Sequence, residues 1–168
     1  MAIKKVKRHV FVLTLVISIT FYCFCAQKLL ADDIFILGEN NYKIEVEKYT
    51  KEIKANQHNA TVYFKRGLCR SRFGDFAGAI CDYDKAIELQ SLYAVAYSYR
   101  GVAKANFKDG KGAMDDCNKA IEIDPLSATA YNNRGMVKNN IGDYSGAIKD
   151  YDKAISIDSS YAALYVAA

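Results

Sequence analysis

The glycines Gly67, Gly101 and Gly135 are evenly spaced along the chain, and each one ends the same pattern of tyrosine, two variable residues, arginine and glycine. Their constant separation is the repeat period of the sequence. A self-similarity of this length predicts stacked supersecondary units, in which each unit buries its apolar face against its neighbours. The period therefore favours a solenoid of similar units over one lobe around a single core.

The same register continues after each glycine. Alanines recur twelve and nineteen residues after it, with an aspartate and a lysine in between. The signature alanines are Ala79, Ala113, Ala147, Ala86, Ala120 and Ala154. Over residues 60–161 the chain resembles the tetratricopeptide repeat (TPR) family, whose unit is a helix-turn-helix with small residues where its helices cross. The resemblance implies an all-α solenoid with three full repeats, at residues 60–93, 94–127 and 128–161.

The residue pattern itself also predicts helices. Residues 60–73, 94–107 and 128–141 contain no proline and place apolar residues three to four apart, which indicates the first helix of each repeat. Second helices follow turns that pair aspartate with glycine and end near Gln90, Ile123 and Ile157. Aspartate can cap a helix there, and glycine can take the turn conformation. The signature glycines and alanines are interpreted as packing residues, because helices approach closely only where side chains are small.

Both ends of the repeat array are incomplete in the sequence. Tyr42, Tyr49 and Ile53 stand one repeat period before matching apolar residues, so residues 32–59 are expected to form a degenerate partial repeat with its second helix at about 41–55. Residues 162–168 begin the pattern of another first helix but include no polar closing helix. Because terminal repeats normally need a polar outer face, this end favours self-association or a shortened reading frame.

Residues 1–31 form a separate leader. Four lysines and arginines precede Val10 to Ala26, a run without any charge. This pattern predicts a cleaved signal peptide or an uncleaved transmembrane anchor within residues 10–31, with the repeats on the outer side of the membrane. The expected location is the periplasm, the cell envelope or the extracellular space.

Net charge argues against a nucleic-acid partner. Residues 1–31 hold five of the 23 lysines and arginines and none of the 19 acidic residues, so the remaining chain has a net charge of −1. A solenoid that binds nucleic acid would normally carry a basic stripe. The basic character of the whole chain belongs to its leader.

Catalytic and metal-binding patterns are not found. Beyond the leader the only histidine is His58, and Cys69, Cys81 and Cys117 do not have metal-ligand spacing. The sequence therefore predicts a protein that is not an enzyme and has neither metal nor cofactor. Cys117 takes the place of a repeated tyrosine and is expected to be buried, whereas Cys69 and Cys81 can form a disulfide if their helices face each other.

The repeated arginines and aspartates predict a structural pairing. Arg66, Arg100 and Arg134 each precede an aspartate by sixteen residues, and we expect each pair to join the two helices of one repeat. The alternative is that both side chains are solvated, in which case they contribute little to stability.

The resemblance implies that the first helices line a concave groove that binds an extended peptide or a partner helix. The groove positions carried over to this chain are Phe64, Lys65, Leu68, Arg72, Ser98, Tyr99, Val102, Asn106, Asn132, Asn133, Met136 and Asn140. Core packing is the alternative for Phe64, Leu68 and Val102. The asparagines argue for a functional face because they have no advantage within a helix, and Lys65 and Arg72 favour an acidic group.

One specialised version of the family is not expected here. Chaperone-binding repeats hold a terminal carboxylate with a lysine and an asparagine where this chain has Phe64 and Leu68. The sequence therefore predicts a non-catalytic, exported or membrane-tethered scaffold that binds an unidentified protein or peptide. The alternative is a structural protein that forms homo-oligomers through its uncapped C-terminal end.

Overall fold

The computed structural model describes residues 41–162, and the leader, residues 32–40 and residues 163–168 lie outside this range. Helix α1 occupies residues 41–55. The helices that follow are α2 (Ala60–Arg72), α3 (Phe76–Leu89), α4 (Ala94–Asn106), α5 (Gly110–Ile123), α6 (Ala128–Asn140) and α7 (Tyr144–Ile157), with a 3₁₀ helix at Ser159–Tyr161. No strand occurs in residues 41–162. The predicted all-α solenoid is confirmed.

Each repeat is a pair of helices, α2 with α3, α4 with α5, and α6 with α7. The first helix of one repeat also packs against the second helix of the repeat before it, and α4 packs directly on α6. The first helices therefore lie side by side in one layer and the second helices in another. This arrangement gives the first helices a shared surface.

Aspartates begin the second helices, as the sequence predicts. Asp75, Asp109 and Asp143 are the N-cap residues, and each carboxylate accepts a hydrogen bond of 2.9 Å from the backbone N–H three residues on. Such caps satisfy N–H groups that have no partner inside the helix. They fix where α3, α5 and α7 start.

The turn of the second repeat differs from the prediction. Gly74 and Gly142 adopt positive φ values of +84° and +86°, but the equivalent residue of the second repeat is Lys108, with φ of 70°. Gly110 is instead the first residue of α5. The expectation that a glycine takes the turn conformation is therefore wrong for this repeat, where a lysine carries the left-handed strain.

The signature glycines allow close helix crossings. A Cβ atom on Gly67 would lie 2.7 Å from the Tyr83 ring, and one on Gly101 would lie 2.6 Å from Cys117 Sγ and 2.9 Å from the Ala113 carbonyl oxygen. A Cβ on Gly135 would likewise overlap the ring of the third repeat's tyrosine. All six signature alanines are buried. The glycines and alanines are therefore packing residues, as predicted.

Side-chain volumes compensate between neighbouring repeats. Tyr83 packs with Ala103 in one core cluster, whereas Cys117 packs with Val137 in the next. Cys117 and Val137 hold the repeat positions of Tyr83 and Ala103. Between the first and second repeats, the large Tyr83 thus contacts the small Ala103. Between the second and third repeats, the smaller Cys117 contacts the larger Val137, so both interfaces are filled.

Candidate functional site

All charged side chains on the first helices are basic. Helices α2, α4 and α6 contain eight lysines and arginines and no aspartate or glutamate. The acidic residues of the three full repeats lie on the second helices and in the turns. The net charge of the chain conceals this separation, which gives the first-helix layer a basic character.

The arginine of each repeat donates two hydrogen bonds to the aspartate sixteen residues on, which confirms the predicted pairing. The distances are 2.9 and 2.6 Å for Arg66 to Asp82, 2.7 and 2.6 Å for Arg100 to Asp116, and 2.8 and 2.7 Å for Arg134 to Asp150. All three aspartates are buried. Bidentate pairing of this kind fixes orientation as well as distance, so it sets the angle between the two helices of a repeat.

The same guanidinium groups also reach back to the preceding repeat. Nη1 of Arg66 donates to Thr50 Oγ1 at 3.1 Å. The equivalent bonds are 2.5 Å from Arg100 to Asp84 Oδ1 and 3.0 Å from Arg134 to Asn118 Oδ1. Sequence reasoning missed this contact, although oxygen-bearing residues sixteen positions before each arginine were a possible signal. Each arginine therefore joins three helices from two repeats.

The tyrosine of the repeated pattern lies beside the same arginine. The guanidinium carbons of Arg66, Arg100 and Arg134 lie 5.8, 5.2 and 5.5 Å from the ring centres of the tyrosines three residues earlier. Cation–π contacts at this range are attractive. The pattern that reveals the repeat is therefore one connected group of tyrosine, arginine and aspartate.

A second cation contacts each buried aspartate. Arg70 lies 3.0 Å from Asp82, and Lys104 and Lys138 lie 2.8 Å from the aspartates of their own repeats. Burial raises the pKa of the Asp150 carboxyl, but the hydrogen bonds and positive charges of Arg134 and Lys138 lower it by more than burial raises it. The pKa is therefore below its usual value. Counting both cations of each repeat, six of the eight first-helix cations contact a buried aspartate.

The other two first-helix cations are Lys65 and Arg72. Both side chains are exposed, and neither makes an ion pair with any of the residues 41–162. Both lie on α2, one on each side of Gly67. They are the first-helix charges available to a ligand.

Two of the predicted groove residues do not line an open surface. Ser98 is 0% exposed and Asn133 is 5% exposed. Asn133 Nδ2 donates to Ser98 Oγ at 3.3 Å, and Ser98 Oγ donates to the Val95 carbonyl at 3.0 Å. The prediction is wrong for this pair, because two short polar side chains at the contact of α4 with α6 hydrogen-bond to each other and are covered there.

The apolar part of the predicted groove is shared with the core. Phe64 is half-buried, and its ring centre lies 5.8 Å from that of Tyr83, 5.3 Å from Tyr93 and 5.6 Å from Tyr99. Leu68 is also half-buried and packs on the Tyr83 cluster. Val102 packs in the same way on the Cys117 cluster. One side of each of these side chains packs on the core, and the other side is accessible to solvent.

The remaining predicted residues lie further along the first helices. Met136 is 42% exposed, and Asn106 and Asn140 are exposed at the ends of α4 and α6. Asn132 is half-buried, with its Nδ2 atom 3.7 Å from Met136 Sδ. The first-helix layer therefore offers cations and aromatic rings at its α2 end, and amides with one thioether at its α6 end.

The three cysteines of the described range are free thiols. Burial raises the pKa of Cys117 to about 12. Burial, together with the hydrogen bond to Glu45 at 3.0 Å, raises the pKa of Cys69 to about 11. Cys117 is buried as predicted, and Cys69 is buried while Cys81 is exposed, so the two do not form the disulfide that the sequence permitted.

Residues 41–162 contain no group of three or more histidines, cysteines, aspartates and glutamates placed to hold a metal ion. Over the same range, none of the helices has the length and apolar character needed to cross a membrane.

Comparison with known proteins places the chain beside helical repeat proteins. Residues 128–161 match the family model described as tetratricopeptide repeat. A comparison with curated proteins finds no match. Of the solved structures, the crystal structure of MamA is 28% identical, covers 72% of this chain and 71% of that chain, and has a TM-score of 0.61.

Two isolated repeat domains are also similar. The first TPR of Spaghetti (RPAP3), bound to the HSP90 peptide SRMEEVD, is 25% identical over 60% of this chain and 79% of that chain, with a TM-score of 0.55. The Arabidopsis OM64 TPR domain is 26% identical over 60% of this chain and 84% of that chain, also with a TM-score of 0.55. These structures share the stacked helical pairs described above.

Proposed function

Because the chain is a tetratricopeptide repeat protein, we propose that it is an interaction scaffold that binds an acidic segment of a partner protein across its first helices. The observation that carries the proposal is the absence of acidic residues from α2, α4 and α6, together with the two exposed cations Lys65 and Arg72. Positive potential on one face attracts and orients an acidic ligand.

A solved relative supports the acidic character of the ligand. The RPAP3 domain binds the peptide SRMEEVD, in which three of seven residues are acidic. In this chain Phe64 and Leu68 stand where a carboxylate clamp needs lysine and asparagine. We therefore propose recognition of acidic side chains within a segment rather than of a free carboxyl end.

The rest of the surface suggests how such a segment lies. Acidic residues meet Lys65 and Arg72 at the α2 end, and an apolar residue contacts the accessible sides of Phe64 and Tyr99. Asn140, exposed at the end of α6, provides an amide that can donate to and accept from the segment's main chain. The ligand would thus run from α2 towards α6.

Selection of peptides by the full chain tests the proposal. A random peptide library displayed on phage is selected on the protein, and the affinity of the enriched peptides is measured by fluorescence anisotropy. We expect enrichment of aspartate and glutamate, and an affinity that decreases as salt concentration rises.

Two charge-reversal variants locate the binding face. The double variant Lys65→Glu and Arg72→Glu should weaken binding at least tenfold. The matched control is Lys149→Glu with Lys153→Glu, which makes the same charge change at exposed residues of the second helix α7 and should preserve affinity. Equal loss in both variants, or enrichment of basic peptides, would contradict the proposal.

Self-association is a second candidate, favoured by the apolar surface of α7. Tyr144 is 66% exposed and Ile148 is 59% exposed, whereas Phe76 and Ile80 hold the same repeat positions on α3 and are half-buried. An exposed apolar patch of this kind can mediate assembly. Light scattering that shows concentration-dependent growth, abolished by Tyr144→Ser with Ile148→Ser, would support this candidate. A constant mass would exclude it.

We further propose that residues 1–31 export the repeats or tether them to the outer side of a membrane. The support is the sequence of a basic start followed by an uncharged run. Amino-terminal sequencing of the protein from its own cells separates cleavage from anchoring, and protease treatment of intact cells reports the side. Repeats that stay protected from protease inside intact cells, with residues 1–31 still attached, would contradict the proposal.

A further inference from the structure

A cavity of about 320 Å³ lies between the second and third repeats, where α4 turns into α5 and α6 ends. It is formed by the turn of one repeat and by the end of the next repeat's first helix. The lining residues are Ala105, Asn106, Lys108, Gly110, Asn140 and Ile141.

The cavity lies at a position where the first repeat has a half-buried aromatic ring, that of Phe76. Gly110 stands one repeat period after Phe76 and one before Tyr144. Phe76, at the start of α3, packs on the cluster formed by Ala79, Tyr83 and Ala103. In the second repeat no side chain extends from this position, so the equivalent space is open.

The preceding partial repeat shows what such a ring contacts. Tyr42 holds the same repeat position on α1, and its ring centre lies 4.6 Å from that of Phe73. Ile141 is the third-repeat counterpart of Phe73, and its Cγ2 atom is 3.1 Å from where a Cβ of Gly110 would lie. Ile141 thus stands beside the vacant position as Phe73 stands beside the Tyr42 ring.

We propose that this cavity is a socket for a tyrosine side chain of the bound partner. A ring entering from outside would take the space of the missing one, against Ala105 and Ile141. The choice of tyrosine follows from the polar rim. Asn106 Nδ2 already donates to the Val102 carbonyl at 2.9 Å, so its Oδ1 atom can accept from a phenol, while Lys108 can donate to the phenol oxygen.

The socket adjoins the proposed binding face. Asn106 and Asn140 belong both to the cavity lining and to the first-helix surface. A segment that crosses α4 and α6 could therefore insert its tyrosine at the edge of that surface. The inference rests on the proposed function only for the origin of the tyrosine, since affinity of the socket for a phenol ring can be measured alone.

Titration with p-cresol, the side-chain analogue of tyrosine, tests the socket on the full chain. Backbone ¹⁵N chemical shifts should move saturably at residues 105–111 and 139–142. Toluene, which has the ring without the hydroxyl, should bind about tenfold more weakly, since one hydrogen bond contributes on the order of one factor of ten.

Substitutions at the repeat position provide the controls. Gly110→Phe restores the ring that Phe76 supplies in the first repeat, so it should raise the melting temperature and abolish the p-cresol shifts. Gly110→Ala is a smaller change and should weaken binding. Phe76→Gly should open a second socket, with new saturable shifts near residues 71–77 and 106–107.

Several outcomes would overturn the inference. They are p-cresol shifts that remain in Gly110→Phe, shifts that never saturate, or equal affinity for toluene, which would indicate a site for any apolar ring. The proposed function fails separately: acidic peptides depend on Lys65 and Arg72, whereas p-cresol depends on Gly110.

Discussion

Arg100 donates two hydrogen bonds to Asp116, at 2.7 and 2.6 Å, and a third of 2.5 Å to Asp84 of the preceding repeat. The side chains of Arg100 and Asp116 are only 15% and 8% exposed. The pair is therefore shielded from water in a way that surface ion pairs are not, and removal of one partner leaves a buried charge.

A double-mutant cycle should detect a coupling energy between Arg100 and Asp116. Arg100→Ala and Asp116→Ala, alone and combined, are expected to give a coupling energy of about 1–3 kcal/mol in urea unfolding. Lys119 and Glu122 form an exposed pair at 2.8 Å and provide the control, with coupling below about 0.5 kcal/mol. A coupling for Arg100 and Asp116 as small as the control value would mean that the pair is only incidental.

The turn of the second repeat should be improved by glycine. Lys108 has φ of 70°, a conformation in which glycine meets little steric cost. Lys108→Gly is expected to stabilise the protein by about 1 kcal/mol. The reciprocal change Gly142→Lys places a lysine at φ of +86° and should destabilise it by a similar amount. Thermal unfolding of both variants checks this, and a lower melting temperature for Lys108→Gly would refute the strain argument.

Protonation of Asp150 at acidic pH should lower the free energy of unfolding. Its pKa is lowered in the folded protein, so its stabilisation is fully present above the unfolded value, 3.8, and is lost as pH falls through the lower folded value. The free energy of unfolding, measured from pH 6 to pH 2, should decrease below about pH 4. Asp150→Asn should be less stable at pH 6 and show a shallower decrease. An identical slope in the variant would contradict this assignment.

The central glycine should tolerate no large side chain. Gly101→Leu would press against Cys117 Sγ and the Ala113 backbone, which cannot move aside, and should lower stability by about 3 kcal/mol or more. Asn106→Leu, at an exposed position of the same helix, should change the melting temperature little. Equal melting temperatures for Gly101→Leu and the unmodified protein would show that the helices do not cross there.

The helices could be predicted closely because one period repeats three times. The first helices end one residue before the predicted limits, at Arg72, Asn106 and Asn140, and the second helices end at or within one residue of theirs. Spacing alone also predicted the arginine–aspartate pairs. Both features recur in every full repeat, so three copies support each inference.

The surface could be predicted only in part, because its details break the period. Ser98 and Asn133 stand at different offsets from their glycines, so their mutual hydrogen bond has no periodic signal. The cavity at Gly110 depends on the absence of an aromatic ring from one repeat and on the position of the Ile141 side chain beside Gly110. Burial at such positions is decided by neighbouring helices rather than by the local sequence.

Hydrogen–deuterium exchange of the full chain, with and without a selected acidic peptide, shows whether the ligand lies across the first helices. Side-chain contacts along the first helices should slow exchange in residues 60–72, 94–106 and 128–140, while α3, α5 and α7 keep their rates. Protection confined to the first helices, and lost with Lys65→Glu and Arg72→Glu, is the predicted result. Protection centred on the second helices, or unchanged by the charge reversal, would mean that the peptide does not bind across the first helices through Lys65 and Arg72.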